Sequence, residues 1–242
     1  VSAPLFLVDE LPSGSTFTLD GPEGHHAATV QRLRAGESLI LADGRGGSVT
    51  TEVTAVGRGS VDVTVVARAS LPAPDPRLVV VQGIAKGDRG ELAVQAMTEI
   101  GVDEILPWAA SRSVTQWRGD RGAKARDKWA ATAREAAKQA RRAWLPVVGG
   151  DPDCSTKQVA ARLGAHAFVL HEEATERLAT AELPSSGEIV LVVGPEGGIS
   201  DAERATFEDA GATAVRLGRE VLRTSTAGVA ALAVLSARLG RW

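Results

Sequence analysis

Up to Ser70 the apolar positions recur mostly at every second residue, in short runs separated by polar, Gly-containing turns: LFLVD, STFTLD, SLILADG, GSVTTEVTAV and SVDVTVVARA. A two-residue period is that of a strand with one buried face, so these runs predict a small, mainly β, barrel-like unit. HHAATVQRLR breaks the pattern, with Ala28, Val30 and Leu33 apolar among polar neighbours, and predicts a short helix. In LPAPDPR, Leu71 to Arg77, alternating prolines can continue neither a helix nor a central strand. The expected division is a first domain over 1–71, a linker over 72–77 and a second domain over 78–242.

Beyond the linker the period changes. LVVVQGIA, VDEILPW, AHAFVLH, EIVLVVG and TAVRLG predict strands. RGELAVQAMTEIG, STKQVAARLG, SDAERATFEDAG and STAGVAALAVLSARLG predict helices. A longer helix is expected from Gly122 to Trp144, with Trp129, Ala133, Ala137, Ala140 and Trp144 near one face. Strands alternating with helices imply an α/β fold with a largely parallel sheet covered on both faces.

Composition narrows the class of protein. With 242 residues the chain can bury a substantial core. No apolar run reaches the roughly 18 residues of a membrane-spanning helix. The start, VSAPLFLVDELP, lacks the basic region and cleavage site of a signal peptide, so a cytoplasmic location and no membrane partner are expected. A single cysteine, Cys154, excludes an internal disulfide framework, and His25, His26, His166 and His171 have no metal-ligand spacing, so no metal is expected. The net charge of −3 conceals an excess of basic residues between Arg112 and Arg142. Such asymmetry is what a localised polyanion site produces, although a charge run also suits a solvated helix face.

The stretch LVVGPEGGIS, Leu191 to Ser200, runs from a strand into a glycine turn, and Ser200 with Glu203 makes the S-x-x-E signature of a helix start. Open α/β sheets bind ligands at such carboxyl ends. The turn contains neither G-x-x-x-x-G-K-[ST] nor G-x-G-x-x-G, and Glu196 would repel a pyrophosphate. A ligand carrying hydroxyls, an amine or a sulfonium suits it better. A second loop, LGREVLRTST (Leu217 to Thr226), ends the next strand and could enclose the same ligand.

The pairing of LVVGPEGGIS-x-x-E with LG-x-x-VLRTST resembles the knotted SPOUT-class RNA methyltransferases, and the whole chain resembles the 16S ribosomal RNA uridine-N3 methyltransferases. KGDRGELAVQAMTEIGVDEILPWAASRSV, AREAAKQARRAWLP and the first-domain set His26, Arg32, Gly36 and Asp43-Gly44 carry the likeness across nearly the full length. The resemblance implies a PUA-like domain, a trefoil knot over Gly194 to Ala231, a homodimer formed by the knotted domains and S-adenosyl-L-methionine as cofactor. It assigns the cofactor to Val193, Gly194, Pro195, Glu196, Gly197, Gly198 and Ile199 of the first loop and to Leu217, Gly218, Val221, Leu222, Arg223 and Thr224 of the second. Arg223 is expected to stabilise charge on the uracil, with Glu196 orienting cofactor or base. The 16S rRNA would be met by His26, Arg32, Arg34, Lys86, Arg89, Arg112, Arg134, Gln139 and Arg142. The chain departs from the family pattern at Glu220 and Ser225, where an Arg and a Glu are usual, and at Lys138, which replaces a Glu. A SPOUT methyltransferase with a ribose 2′-hydroxyl or tRNA base as target, and a non-catalytic RNA-binding module, are the alternative readings.

Overall fold

The computed structural model describes residues 3–242. The chain forms two compact units, one reaching Ala73 and also taking in Ala137–Leu145, the other made of Pro74–Ala136 and Pro146–Trp242.

In the first unit, β1 (Leu5–Leu7), β2 (Thr16–Leu19), β3 (Ser38–Ala42), β4 (Gly47–Val56) and β5 (Val61–Ser70) make one sheet in the order β1-β3-β4-β5-β2. β1 runs parallel to β3 and the other pairs are antiparallel. The two-residue period is realised as burial: Val49, Thr51 and Val53 of β4 and Val61 and Val63 of β5 point inward, and their apolar members meet Phe6, Leu39 and Leu41. The short helix begins earlier than expected, as α1 (Gly21–His25) with a proline in its first turn, and continues into a π-helical turn over His26–Val30. It does not reach Arg34, because Arg32 adopts a φ of 55° and the Leu33 N–H closes on the Ala27 carbonyl.

The second unit is built on a seven-stranded parallel sheet. Its strands are β6 (Arg77–Gly83), β7 (Glu104–Trp108), β8 (Val147–Val148), β9 (Ala167–Leu170), β10 (Glu176–Arg177), β11 (Glu188–Val193) and β12 (Thr213–Arg216), in the order β10-β12-β9-β11-β6-β7-β8. Helices α2 (Arg89–Ile100), α3 (Gly119–Gln139), α4 (Thr156–Ala160), α5 (Asp201–Asp209) and α6 (Thr224–Arg238) accompany it. The run Leu78-Val79-Val80-Val81 is continuous rather than alternating because both faces of β6 are covered. Leu78 and Val80 join Met97, Trp129 and Leu232 on one face, while Val79 and Val81 join Val159 and Phe207 on the other. At the amino edge of the sheet Arg77 pairs with Glu188 (2.7 Å) and Glu104 (3.0 Å), and Arg162 reaches the same two carboxylates. Ala231, Leu232 and Leu235 of α6 are core, and among the described residues no helix is long and apolar enough to cross a membrane.

The long helix corrects one expectation. α3 ends at Gln139, five residues before Trp144, because Arg141 takes a left-handed φ of 53°. The Arg142 N–H bonds to the Ala137 carbonyl and the Arg141 N–H to that of Lys138, the paired bonds of a Schellman stop. Trp129 and Trp144 therefore share no helix face. Trp129 is in the core, edge-on to Trp117 at 4.9 Å, whereas Trp144 bridges Arg45 and donates from Nε1 to the Leu71 carbonyl at 3.1 Å. The short strands β8 and β10 were not predicted; two-residue strands carry no period.

Candidate functional site

The glycines after β11 are required by close backbone approach. A Cβ on Gly197 would lie 2.9 Å from both Cβ and the carbonyl oxygen of Arg112, and one on Gly83, at the end of β6, 2.5 Å from the Pro195 nitrogen. Pro195 to Gly198 is closed by a 2.9 Å bond from the Gly198 N–H to the Pro195 carbonyl, with Gly198 at a φ of +73°. The Ser200–Glu203 capping box forms as the sequence predicts. Glu203 does more than cap, since its buried carboxylate also accepts from the Ser111 N–H (2.6 Å) and hydroxyl (2.9 Å), tying the segment after β7 to the turn. Burial pushes its carboxyl upward, but the bonds from Ser111 and Ser200 outweigh that and hold it below the usual carboxylate range.

A cavity of about 750 Å³ opens at the carboxyl ends of β9, β11 and β12. Every cofactor residue expected from the sequence, Val193 to Ile199 in the first loop and Leu217, Gly218 and Val221 to Thr224 in the second, lines it. A third wall was not foreseen: His171, Glu172 and Glu173 follow β9, which lies between β11 and β12. The strand AHAFVLH was legible, with an acidic pair directly after it, but its place in the sheet was not. Asp201, Arg216 and Glu220 complete the charged lining.

The charges have distinct settings. Glu196 Oε1 accepts from Arg89 Nη1 and from the Lys86 N–H, each at 3.1 Å. Burial acts to raise its pKa, but its own backbone N–H, that of Lys86 and the Arg89 guanidinium together leave it lowered. Arg112 donates weakly to the carbonyls of Gly197 (3.3 Å) and Ile199 (3.5 Å). Arg223 is the N-cap residue of α6; its carbonyl accepts the N–H groups of Thr226 and Ala227, while its exposed guanidinium makes no hydrogen bond or ion pair among the described residues. Glycine-lined backbone together with Glu172, Glu173, Asp201 and Glu220 fits a ligand bearing cationic sulfonium and amine groups and ribose hydroxyls, so S-adenosylmethionine suits the donor and acceptor set.

The expected RNA contacts scatter. Arg89 and Arg112 line the cavity, and Lys86 reaches Glu196 through its backbone. In the first unit Arg32 and Arg34 are exposed, and His26 is half-buried with its ring edge-on to Phe6 at 5.8 Å. Gln139 and Arg142 lie in the segment that belongs to that unit and line no part of the cavity. Arg134 is exposed on α3. Several cations of the Arg112–Arg142 run have protein partners: Arg126 with Asp127, Lys128 with Glu91, and buried Lys138 with Glu23 at 2.9 Å. On α3, Arg121, Lys124 and Arg134 carry no hydrogen bond or ion pair among the described residues. Among the described residues no cluster of His, Cys, Asp and Glu could hold a metal ion.

Comparison with known proteins places this geometry. Residues 72–236 match the RNA methyltransferase domain family and residues 19–66 the RNA methyltransferase PUA domain. The ribosomal RNA small subunit methyltransferase E of Mycobacterium tuberculosis is 46% identical over 99% of this chain and 94% of its own length; that of Bacillus subtilis is 29% identical over 95% and 91%. The crystal structure of the ribosomal RNA small subunit methyltransferase E from Neisseria gonorrhoeae, bound to S-adenosyl methionine, superposes with a TM-score of 0.86 over 98% of each chain at 27% identity. With a PUA domain in front of a parallel-sheet RNA methyltransferase domain, matched over nearly its whole length, the chain belongs to the ribosomal RNA small subunit methyltransferase E family.

Proposed function

We propose that this protein transfers a methyl group from S-adenosylmethionine to N3 of a uridine in 16S ribosomal RNA, in the cytoplasm, as a homodimer formed by a knotted methyltransferase domain. The observation that carries the reading is the cavity at the ends of β9, β11 and β12, where glycine-spaced backbone meets carboxylates without a phosphate-binding motif.

When bound, S-adenosylmethionine supplies an electrophilic methyl group on a sulfonium. The two loops, Gly194 to Ile199 and Leu217 to Thr224, hold the cofactor, and Glu172 and Glu173 complement its charge and hydroxyls. Methyl transfer is an in-line displacement, so fixing donor and acceptor in line supplies much of the rate, up to about 7–11 kcal/mol for well-oriented reactants. The acceptor is an imide nitrogen that becomes nucleophilic when its proton passes to solvent water, and transfer of the methyl group to it would release the thioether S-adenosylhomocysteine. The guanidinium of Arg223, at the cavity wall and without a partner among the described residues, stabilises the negative charge that then spreads to the uracil carbonyl oxygens. Glu196 stays ionised and engaged with Arg89 and Lys86, and so acts as a positioning residue rather than as proton acceptor. Arg134, Arg32 and Arg34 bind phosphate, which positions the RNA without reading its sequence.

The test is tritiated methyl transfer to small subunits that lack the modification, followed by mapping of the labelled nucleotide. Label at N3 of a uridine is expected, and Arg223→Ala should lose about 100- to 1,000-fold in turnover. Label on a ribose hydroxyl or on tRNA would reassign the target; no incorporation with pure protein would leave an RNA-binding module.

A further inference from the structure

Three backbone segments meet beneath the cavity at one side chain. Gln82, next to last in β6, is completely buried and lines no part of the cavity. Its Nε2 donates to Thr224 Oγ1 at 2.9 Å and to the Gly83 carbonyl at 3.1 Å, and Thr224 Oγ1 donates to the Gly194 carbonyl at 2.7 Å. The direction of this chain of bonds is forced. A carbonyl only accepts, so the single hydroxyl proton of Thr224 goes to Gly194, and Thr224 can then only accept from Gln82. The amide must therefore present its NH₂ group, which leaves Gln82 Oε1 buried with no partner among the described residues. A buried, half-satisfied amide is unfavourable, so packing alone would be better served here by methionine or leucine.

We infer that Gln82 is a positioning residue for the cofactor site: through Thr224 it fixes the Gly194 carbonyl and the first turn of α6, and so sets the spacing of the two loops that close on the cavity. Arg223, immediately before Thr224, is placed by the same bond chain. The inference rests on the cofactor assignment proposed above.

The test uses the full-length protein, with calorimetry of S-adenosylmethionine binding, steady-state kinetics and thermal melting for Gln82→Met, Thr224→Val and Thr224→Ser. Gln82→Met and Thr224→Val should melt cooperatively, weaken S-adenosylmethionine binding by about tenfold and raise its KM more than they lower kcat, with RNA affinity unchanged. Thr224→Ser, which keeps the hydroxyl, should bind within about twofold of the wild type. The double variant should cost little more than the worse single one, since one bond chain is removed once. Unchanged affinity in Gln82→Met, or additive losses in the double variant, overturns the inference. Should Gln82→Met fail to fold, equal affinities of Thr224→Ser and Thr224→Val overturn it instead. A wild-type protein that does not bind S-adenosylmethionine at all refutes the cofactor assignment, not the bond chain.

Discussion

Glu196 Oε1 lies 3.1 Å from Nη1 of Arg89, a bridge that joins the glycine turn after β11 to the first residue of α2. Because the pKa of Glu196 is lowered in the folded protein, the bridge contributes at pH values above the unfolded carboxylate range and is lost as pH falls through the lowered value. Cofactor affinity should thus be insensitive to Glu196 titration between about pH 6 and pH 9, where a raised carboxylate acting as base would show a limb. Both members are partly exposed, so Glu196→Gln should weaken S-adenosylmethionine binding only a few-fold, within the roughly 1 kcal/mol of such pairs. A limb in kcat/KM within that window that disappears in Glu196→Gln would make Glu196 the proton acceptor.

Neighbouring glycines separate crowding from backbone strain. Gly197 lacks room for a side chain against Arg112, whereas at Gly198 the nearest non-neighbouring atom to a Cβ is 3.9 Å away but φ is +73°. Gly198→Ala should cost about 1–2 kcal/mol of stability, read from urea denaturation. Gly197→Val should displace the turn or Arg112 and weaken cofactor binding at least about tenfold, a loss of roughly 1.4 kcal/mol. A normally folded Gly197→Val that binds as tightly as wild type means the cofactor sits elsewhere.

What the sequence disclosed and what it hid divide along physical lines. Ser200-x-x-Glu203 and the unbroken apolar run of β6 are local signals, and both appear as read. The two cavity loops were legible because each directly follows an apolar strand. The third wall, His171 to Glu173, depends on β9 lying between β11 and β12, and sheet order is set by tertiary packing that no local period reports. Trp144 was misplaced because the stop at Arg141 uses an arginine where glycine is the usual signal. The basic run overstated its free charge, since Lys138 and Lys128 find partners far away in sequence, at Glu23 and Glu91.

Glu203 is where capping and tertiary bonding coincide. Glu203→Ala strands the donors of Ser111 and leaves the Ser200 N–H without its acceptor, so a loss of about 2–3 kcal/mol is expected in urea denaturation. Its carboxyl is depressed in the folded state, so its stabilisation is complete above the unfolded value and is lost as pH falls through the folded one. Wild type should lose stability on acidification below about pH 4.5 more steeply than Glu203→Gln. Parallel acid profiles for the two would assign the acid sensitivity to other carboxylates.

In the first unit Nζ of the buried Lys138 and Oε1 of the half-buried Glu23 form a pair at 2.9 Å. Removing the lysine leaves the half-buried Glu23 carboxylate without this partner, so Lys138→Ala should cost about 1–3 kcal/mol. Replacing both, as Glu23→Gln with Lys138→Met, should cost clearly less than Lys138→Ala, because no bare charge remains. Equal losses in the two variants, measured by denaturant titration, would show that the pair contributes packing and not charge compensation.

Free cations on α3 make the last prediction quantitative. A cation already bonded within the protein releases fewer counterions when RNA arrives than one that faces solvent alone. Arg121, Lys124 and Arg134 are of the second kind, and Lys128, paired with Glu91, is of the first. Removing one phosphate-binding cation should flatten the slope of log affinity against log salt by about 0.7 for single-stranded RNA and about 0.9 for duplex, the latter by analogy with DNA. Replacing Arg121, Lys124 and Arg134 together by alanine should therefore reduce the slope by about 2, while Lys128→Ala changes it by less than about 0.5. Cofactor affinity, measured in parallel, should not move in either variant, because none of these residues lines the cavity. A triple variant with an unaltered salt slope would remove α3 from the RNA-binding surface and leave phosphate binding to the arginines of the first unit and of the cavity rim.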